Sequence, residues 1–272
     1  MAASDGPRAA SPATSSAVTS LLAALPGLAF GFMLVLCRVS AAVMVLPGIG
    51  ESEIPMVVRA GLAVGLAVLI FPGVQGLLPA AQDLMPHQVA LIASELGCGL
   101  LIGWLARLMA LSLPIAGQII STMIGLSSVL QPDPDLGSQT SAISRLLAIV
   151  APVLVLSSGL YAMPLGALAG SYRLLPPGML LSSGDVVQSV ALATENSFAL
   201  ALRLASPLVL VGLLWQLMLG VLARLLPTLQ VHNLSLPGQV LGGLLLFGLL
   251  LGPILQTWLQ ALQAGFASLP GR

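Results

Sequence analysis

The sequence predicts an all-α, multi-helix integral-membrane protein, and three observations carry that prediction. Of 272 residues, 57 % are hydrophobic and 7 % are charged, where a soluble domain carries about 25 % charged residues; mean hydropathy is +1.06. Charge-free runs cover 9–37, 60–82, 108–132, 146–172, 204–223 and 225–271, and each reaches the roughly 20 residues a helix needs to cross a bilayer. Glycines recur four apart at Gly27/Gly31, Gly61/Gly65, Gly99/Gly103, Gly166/Gly170, Gly238/Gly242 and Gly248/Gly252, a spacing that lets apolar helices approach closely.

Residues 1–20 are rich in Ala, Ser, Pro and Thr, with one acid and one base, so they are expected to form a flexible tail. Asp5 and Pro12 precede any apolar run, and the run 21–46 carries Arg38. A retained first helix is therefore expected rather than a cleaved signal peptide. Residues 21–265 are expected to form a single helical domain and 266–272 a short C-terminal tail. Within the domain, helices are predicted near 21–46, 57–78, 88–111, 115–130, 143–169, 188–224 and 238–264, with breaks at Pro47–Glu53, Pro79–Pro86, Gln131–Gln139, Arg173–Asp185 and Pro227–Pro237. That makes about six crossings plus one short segment. The short one, 115–130, lies between Pro114 and Gln131-Pro132-Asp133-Pro134 and contains Gly117 and Gly125. It is expected to be broken at those glycines, as a re-entrant or pore-lining piece.

Several function classes are excluded at this stage. The formal net charge is zero and the nine basic residues, all arginine, are scattered singly, so there is no basic patch for nucleic acid. Cys37 and Cys98 each lie in an apolar run and are expected to be free thiols, while His87 and His232 stand alone. No metal-ligand spacing and no catalytic motif occurs. A non-enzyme is expected, with no catalytic residue, cofactor or metal. Arginine placement is too even, four residues against three, to orient the chain.

Four charges fall inside the apolar segments: Arg38, Glu95, Arg107 and Arg203, with Glu195 nearer a helix start. Each costs about 2.5–3.5 kcal/mol at a helix centre and should face protein or water with a partner. Glu95 and Arg107 are twelve residues apart, about 120° around a helix and about 18 Å along it, so they cannot pair with each other. Arg38 with Glu95 is the expected interhelix ion pair. A proton relay would need several stacked carboxylates, and only Glu95 is deep.

The stretch Arg38-Val-Ser-Ala-Ala to Leu46-Pro47-Gly48-Ile49-Gly50, followed by Ile54-Pro55-Met56-Val57-Val58-Arg59 and an apolar helix ending at Pro72, resembles the opening of the FliR family, a subunit of type III export gates. Glu95-Leu96-Gly97-Cys98-Gly99 through Gly103, Ala116 through Ser121 with Gly125-Leu126-Ser127, Asp133-Pro134, and then Pro207, Gly220, Arg224, Pro227 and Pro237 resemble later parts of that family in order. The chain departs from it at Gln118 and at Met123-Ile124.

The resemblance implies a subunit packed into a helical export-gate assembly with the P and Q subunits, and with the B and A export-apparatus subunits, around a channel for unfolded proteins. It places the chain in the bacterial inner membrane at the flagellar basal body, or in the equivalent virulence injectisome. It also marks Gly117, Gln118, Ile119, Ile120, Met123, Ile124, Gly125, Leu126, Asp133 and Pro134 as channel gate candidates. Arg38, Pro47, Pro55, Arg59, Glu95, Gly99, Gly103, Arg224, Pro227 and Pro237 are marked as structural. A secondary transporter would be built from repeated halves, and no repeat relates 21–130 to 143–264.

Overall fold

The structure, a computed structural model, describes residues 12–79, 85–126, 141–179, 182–225 and 231–271. Among them there is no strand. The helices are α1 (Pro12–Val45), α2 (Met56–Val74), α3 (Met85–Ala110), α4 (Ser112–Ile124), α5 (Ala142–Ser157), α6 (Ala162–Leu174), α7 (Ser183–Leu225) and α8 (Val231–Ala267), with a 3-10 turn at Gln75–Leu77 after α2. Five spans among the described residues are long and apolar enough to cross a membrane, or six if the bent α5–α6 pair is one span.

The predicted boundaries move in several places. Helix α1 reaches back to Pro12, into the expected tail, and residues 1–11 are outside the described ones. The expected C-terminal tail is packed: Phe266 is 0 % and Leu269 5 % exposed. A methyl placed on Gly271 would meet the Ala167 carbonyl and the Ser171 backbone of α6. The helix predicted at 143–169 is two helices bent by 68°. The chain turns there through Gly159 at φ +74, and Pro164 cannot donate a backbone bond to Leu160. Helix α2 continues past Pro72 to Val74, and α8 carries Pro237 and Pro253 inside it, where a break had been expected up to Pro237. Neighbouring helices in an apolar bundle can hold such prolines in place.

The α3–α4 junction shows why one long apolar run becomes two helices. Pro114 has no N–H to offer Ala110, and its ring crowds that carbonyl, so the chain steps at Leu111 before α4 begins. Side chains from other helices attach around the step. Ser197 of α7 donates to the Leu108 carbonyl at 2.7 Å, and Ser144 of α5 donates to the Pro114 carbonyl at 2.8 Å. Trp258 of α8 is 0 % exposed and donates through Nε1 to Ser112 Oγ at 3.0 Å.

Packing around that step defines the architecture. α3 lies along α1, and α2 also packs on α1; α4 is packed against α5, α7 and α8. Half of the most apolar window of Gln88–Ile124 is buried, against 17 % for those of α2, α7 and α8. The α3–α4 rod is thus the axis of the fold, while α2, α7 and α8 turn most of their apolar surface outward.

Candidate functional site: buried ion pairs and the central helix α4

Arg38 on α1 and Glu95 on α3 are each 0 % exposed and form the interhelix pair expected from sequence. Arg38 Nε donates to Glu95 Oε2 and Nη2 to Oε1, both at 2.8 Å. This fork geometry is the strong form of a charge-assisted contact. The guanidinium also donates from Nη1 to Ser171 Oγ and from Nη2 to the Leu175 carbonyl, each at 3.0 Å. Its carbon lies 4.0 Å from the centre of the Tyr172 ring, within the range of a cation–π contact. One arginine therefore ties together α1, α3, α6 and the residue after α6. Gly99 and Gly103 open the seam for it: a methyl on Gly99 would collide with the Arg38 carbonyl, and one on Gly103 would lie 2.9 Å from the Ala42 carbonyl.

The second pair was not anticipated. Arg107, which cannot reach Glu95, meets Glu51 of the α1–α2 connection through Nη1–Oε1 at 2.7 Å and Nη2–Oε2 at 3.0 Å. Their side chains are 27 % and 18 % exposed. They border an open groove of about 700 Å³, which is also lined by Glu53, Pro114, Arg145 and Ile149. The sequence did hold a signal. Glu51 sits between Pro47 and Pro55, which bracket the connection: Gly48 turns it at φ +86, and Pro55 caps α2 at φ −54, ψ 139. Such a tight loop returns its acid to the helix ends. Glu51→Gln is expected to lower stability by about 1–2 kcal/mol, since a bidentate charged contact is lost from a partly exposed site. Thermal unfolding of the detergent-solubilised chain reads this out.

The gate candidates fall on α4, and Gly117 does not break it. Gly117 lies inside the helix, and a methyl there would sit 2.9 Å from Ser144 Cα of α5. It permits a helix crossing instead of a turn. Only Gly125 has the expected turn role, capping α4 at φ +85 in the left-handed region. Ile120 and Ile124 are 0 % and 3 % exposed and belong to the chain's own core; Ile124 fills the space left by Gly243 of α8. Gln118 accepts from the Ser141 N–H at 3.1 Å. Ile119, Met123 and Leu126 are half-buried. Gln239 of α8 donates to the Met123 carbonyl at 2.9 Å, close to the end of the helix. Asp133, Pro134 and Pro227 lie outside the described residues. Arg59 sits in the first turns of α2, half-buried, and Arg224 is exposed in the last turn of α7, where a cation suits the helix dipole. Among the described residues no group of His, Cys, Asp and Glu could hold a metal.

Fold and site together define a polytopic helical membrane protein in which the Arg38–Glu95 and Arg107–Glu51 pairs tie helices and their connections together. The chain belongs to the family of bacterial export proteins, family 1, whose model matches residues 29–265. It is 30 % identical to the flagellar biosynthetic protein FliR of Caulobacter vibrioides, over 83 % of this chain and 90 % of that protein. It is 29 % identical to FliR of Bacillus subtilis, over 77 % and 81 % of the two chains. To the Yop proteins translocation protein T of Yersinia pestis it is 28 % identical, over 76 % and 80 %.

Proposed function

We propose that this chain is a core subunit of a flagellar type III protein export gate, seated in the bacterial inner membrane at the flagellar basal body, where it helps form and seal the passage for unfolded flagellar proteins. The observation that carries this reading is the likeness to a flagellar biosynthetic protein across nine-tenths of that protein's length. The outward apolar faces of α2, α7 and α8 fit a subunit that completes its packing with others. Those partners are the P and Q gate subunits, with the B and A apparatus subunits beside them. Co-expression of the tagged chain with P and Q is expected to yield one discrete particle in detergent. Recovery of a solitary monomer under those conditions overturns the reading. A second reading, the equivalent subunit of a virulence injectisome, is favoured by the likeness to the Yersinia translocation protein. Deleting the gene separates the two: loss of motility supports the first, and loss of effector secretion with motility intact supports the second.

Within this reading the gate elements are the half-buried apolar side chains Ile119, Met123 and Leu126, which surround the stop at Gly125. They could supply flexible bulk for a dry constriction. Removing 118–126 outright would also take away the buried Ile120, Ser121 and Ile124, so point changes make the cleaner test. Ile119→Ser with Met123→Ser is expected to leave the particle assembled and raise its ion conductance in planar bilayers. Unchanged conductance refutes the gate assignment alone.

A further inference from the structure

Helix α7 spans 43 residues, about 64 Å at the α-helical rise, which is twice the roughly 30 Å apolar thickness of a bilayer. Its C-terminal half holds the charge-free run 204–223, bracketed by Arg203 and Arg224. Its N-terminal half presents Leu192, Glu195, Ala199 and Leu202, continued by Ser206 across the midpoint, all exposed and recurring every three or four residues, so they form one stripe. Phe198 flanks the stripe at 53 % exposure, and Leu192 and Leu202 stand at 51 % and 57 %. Arg203, also exposed, lies eight residues from Glu195, about 12 Å along the helix and about 80° around it. Neither side chain has an ion-pair partner among the described residues.

The stripe needs a cover whichever half of α7 crosses the bilayer. If 204–223 crosses, then the stripe runs from Leu192 about 18 Å beyond the hydrocarbon and meets water unless protein lies over it. If the N-terminal half, 183–203, crosses, Glu195 stands mid-span in hydrocarbon, where an unpaired charge is expensive. Lipid satisfies neither arrangement, since it hydrates no mid-span carboxylate and does not extend into the aqueous phase. A second copy of this chain does not fit either. Parallel copies would set Glu195 beside Glu195, like charge against like, and antiparallel copies would need opposite insertion.

Resting on the export-gate reading, we propose that this face of α7 docks a helix of a different export subunit that carries a basic residue opposite Glu195 and a carboxylate opposite Arg203, about two turns apart. The apolar residues between the charges pack the helix, and the two charges fix its register and exclude wrong partners.

Site-specific photocrosslinking tests this in cells expressing the full export apparatus. A photoreactive residue at Ala199, between the two charges on the stripe, is expected to give an ultraviolet-dependent adduct with one other membrane subunit. The same residue at Ala205, which is 0 % exposed, is expected to give none. Glu195→Arg is expected to reduce the Ala199 adduct and the co-purified subunit by about tenfold, the factor that corresponds to losing one charged contact. An acid placed at the partner's opposing basic residue should restore both. Adducts at Ala199 that contain only lipid, or only a second copy of this chain, overturn the proposal, and so does normal assembly of Glu195→Arg. The Ala199 measurement keeps both native charges, so it decides the matter even if the charge-reversed chain fails to fold. If the unaltered chain copurifies with no export subunit, the function reading fails first. If it copurifies but Ala199 labels no subunit, only the docking face fails.

Discussion

Arg38→Met in a chain that keeps Glu95 is expected to cost about 3–5 kcal/mol, the range for stripping the partner from a buried charge. The result should be a large fall in apparent Tm and in the amount of folded chain extracted from membranes. Glu95 would be left fully buried between α1 and α3, where its desolvation is no longer offset. Glu95→Leu should fall in the same range for the mirrored reason: Ser171 and the Leu175 carbonyl still accept from the guanidinium, but nothing neutralises it. The double variant Arg38→Met/Glu95→Leu is expected to recover most of the loss, because apolar groups of similar volume can replace a buried pair at little net cost. Exchanging the charges, Arg38→Glu with Glu95→Arg, is not expected to rescue. A carboxylate on α1 would face the Leu175 carbonyl and the electron-rich face of Tyr172, both of which favour a cation. Rescue to the parental Tm by the exchange would show that the pair acts through charge alone and not through the wider set of contacts.

Much of this fold could be read before any coordinates, and the reason is specific to apolar chains. Hydropathy length and proline position alone located the α1–α2 connection, because Pro47 and Pro55 both disfavour helix on their N-terminal side. The Arg38–Glu95 pair was a reasonable expectation because an interior charge must have a partner and Glu95 is the one deep acid. Pairing Arg107 with Glu51 depends on the α1–α2 connection folding its acid back onto α3, which no helix-length argument supplies. What the sequence concealed was the difference between a glycine that turns the chain and a glycine that admits a neighbour. Gly117 and Gly125 look alike in sequence, yet one lies against Ser144 within a helix and the other caps the helix in the left-handed region. That distinction depends on which helix passes alongside, and no local pattern encodes it. The 68° bend between α5 and α6 was hidden for a similar reason: Pro152 and Pro164 both interrupt the apolar run, and only Pro164 coincides with a break.

The six glycine pairs can therefore be sorted by what lies next to them, which gives the second large expected effect. Gly99→Ala is expected to destabilise the chain by about 1–3 kcal/mol, and Gly99→Val by more, because the added carbon meets the Arg38 backbone carbonyl, which no rotamer change can move aside. Gly61→Ala and Gly242→Ala should leave the stability of the isolated chain within about 0.5 kcal/mol of its parent or raise it, since nothing lies within 4 Å of a methyl at either position. If those open faces receive partner helices, the same two changes should instead reduce recovery of the assembled particle. Gly99 also sits one turn beyond Glu95 on α3 and presses on the residue that Glu95 holds. The two perturbations therefore share one structural element and should not add. Combined with Arg38→Met, Gly99→Ala is expected to cost less than the sum of the single losses, since an α1–α3 seam already opened by loss of the ion pair has less close contact left to lose. Strict additivity would mean that the seam and the ion pair are independent supports of the same helix pair.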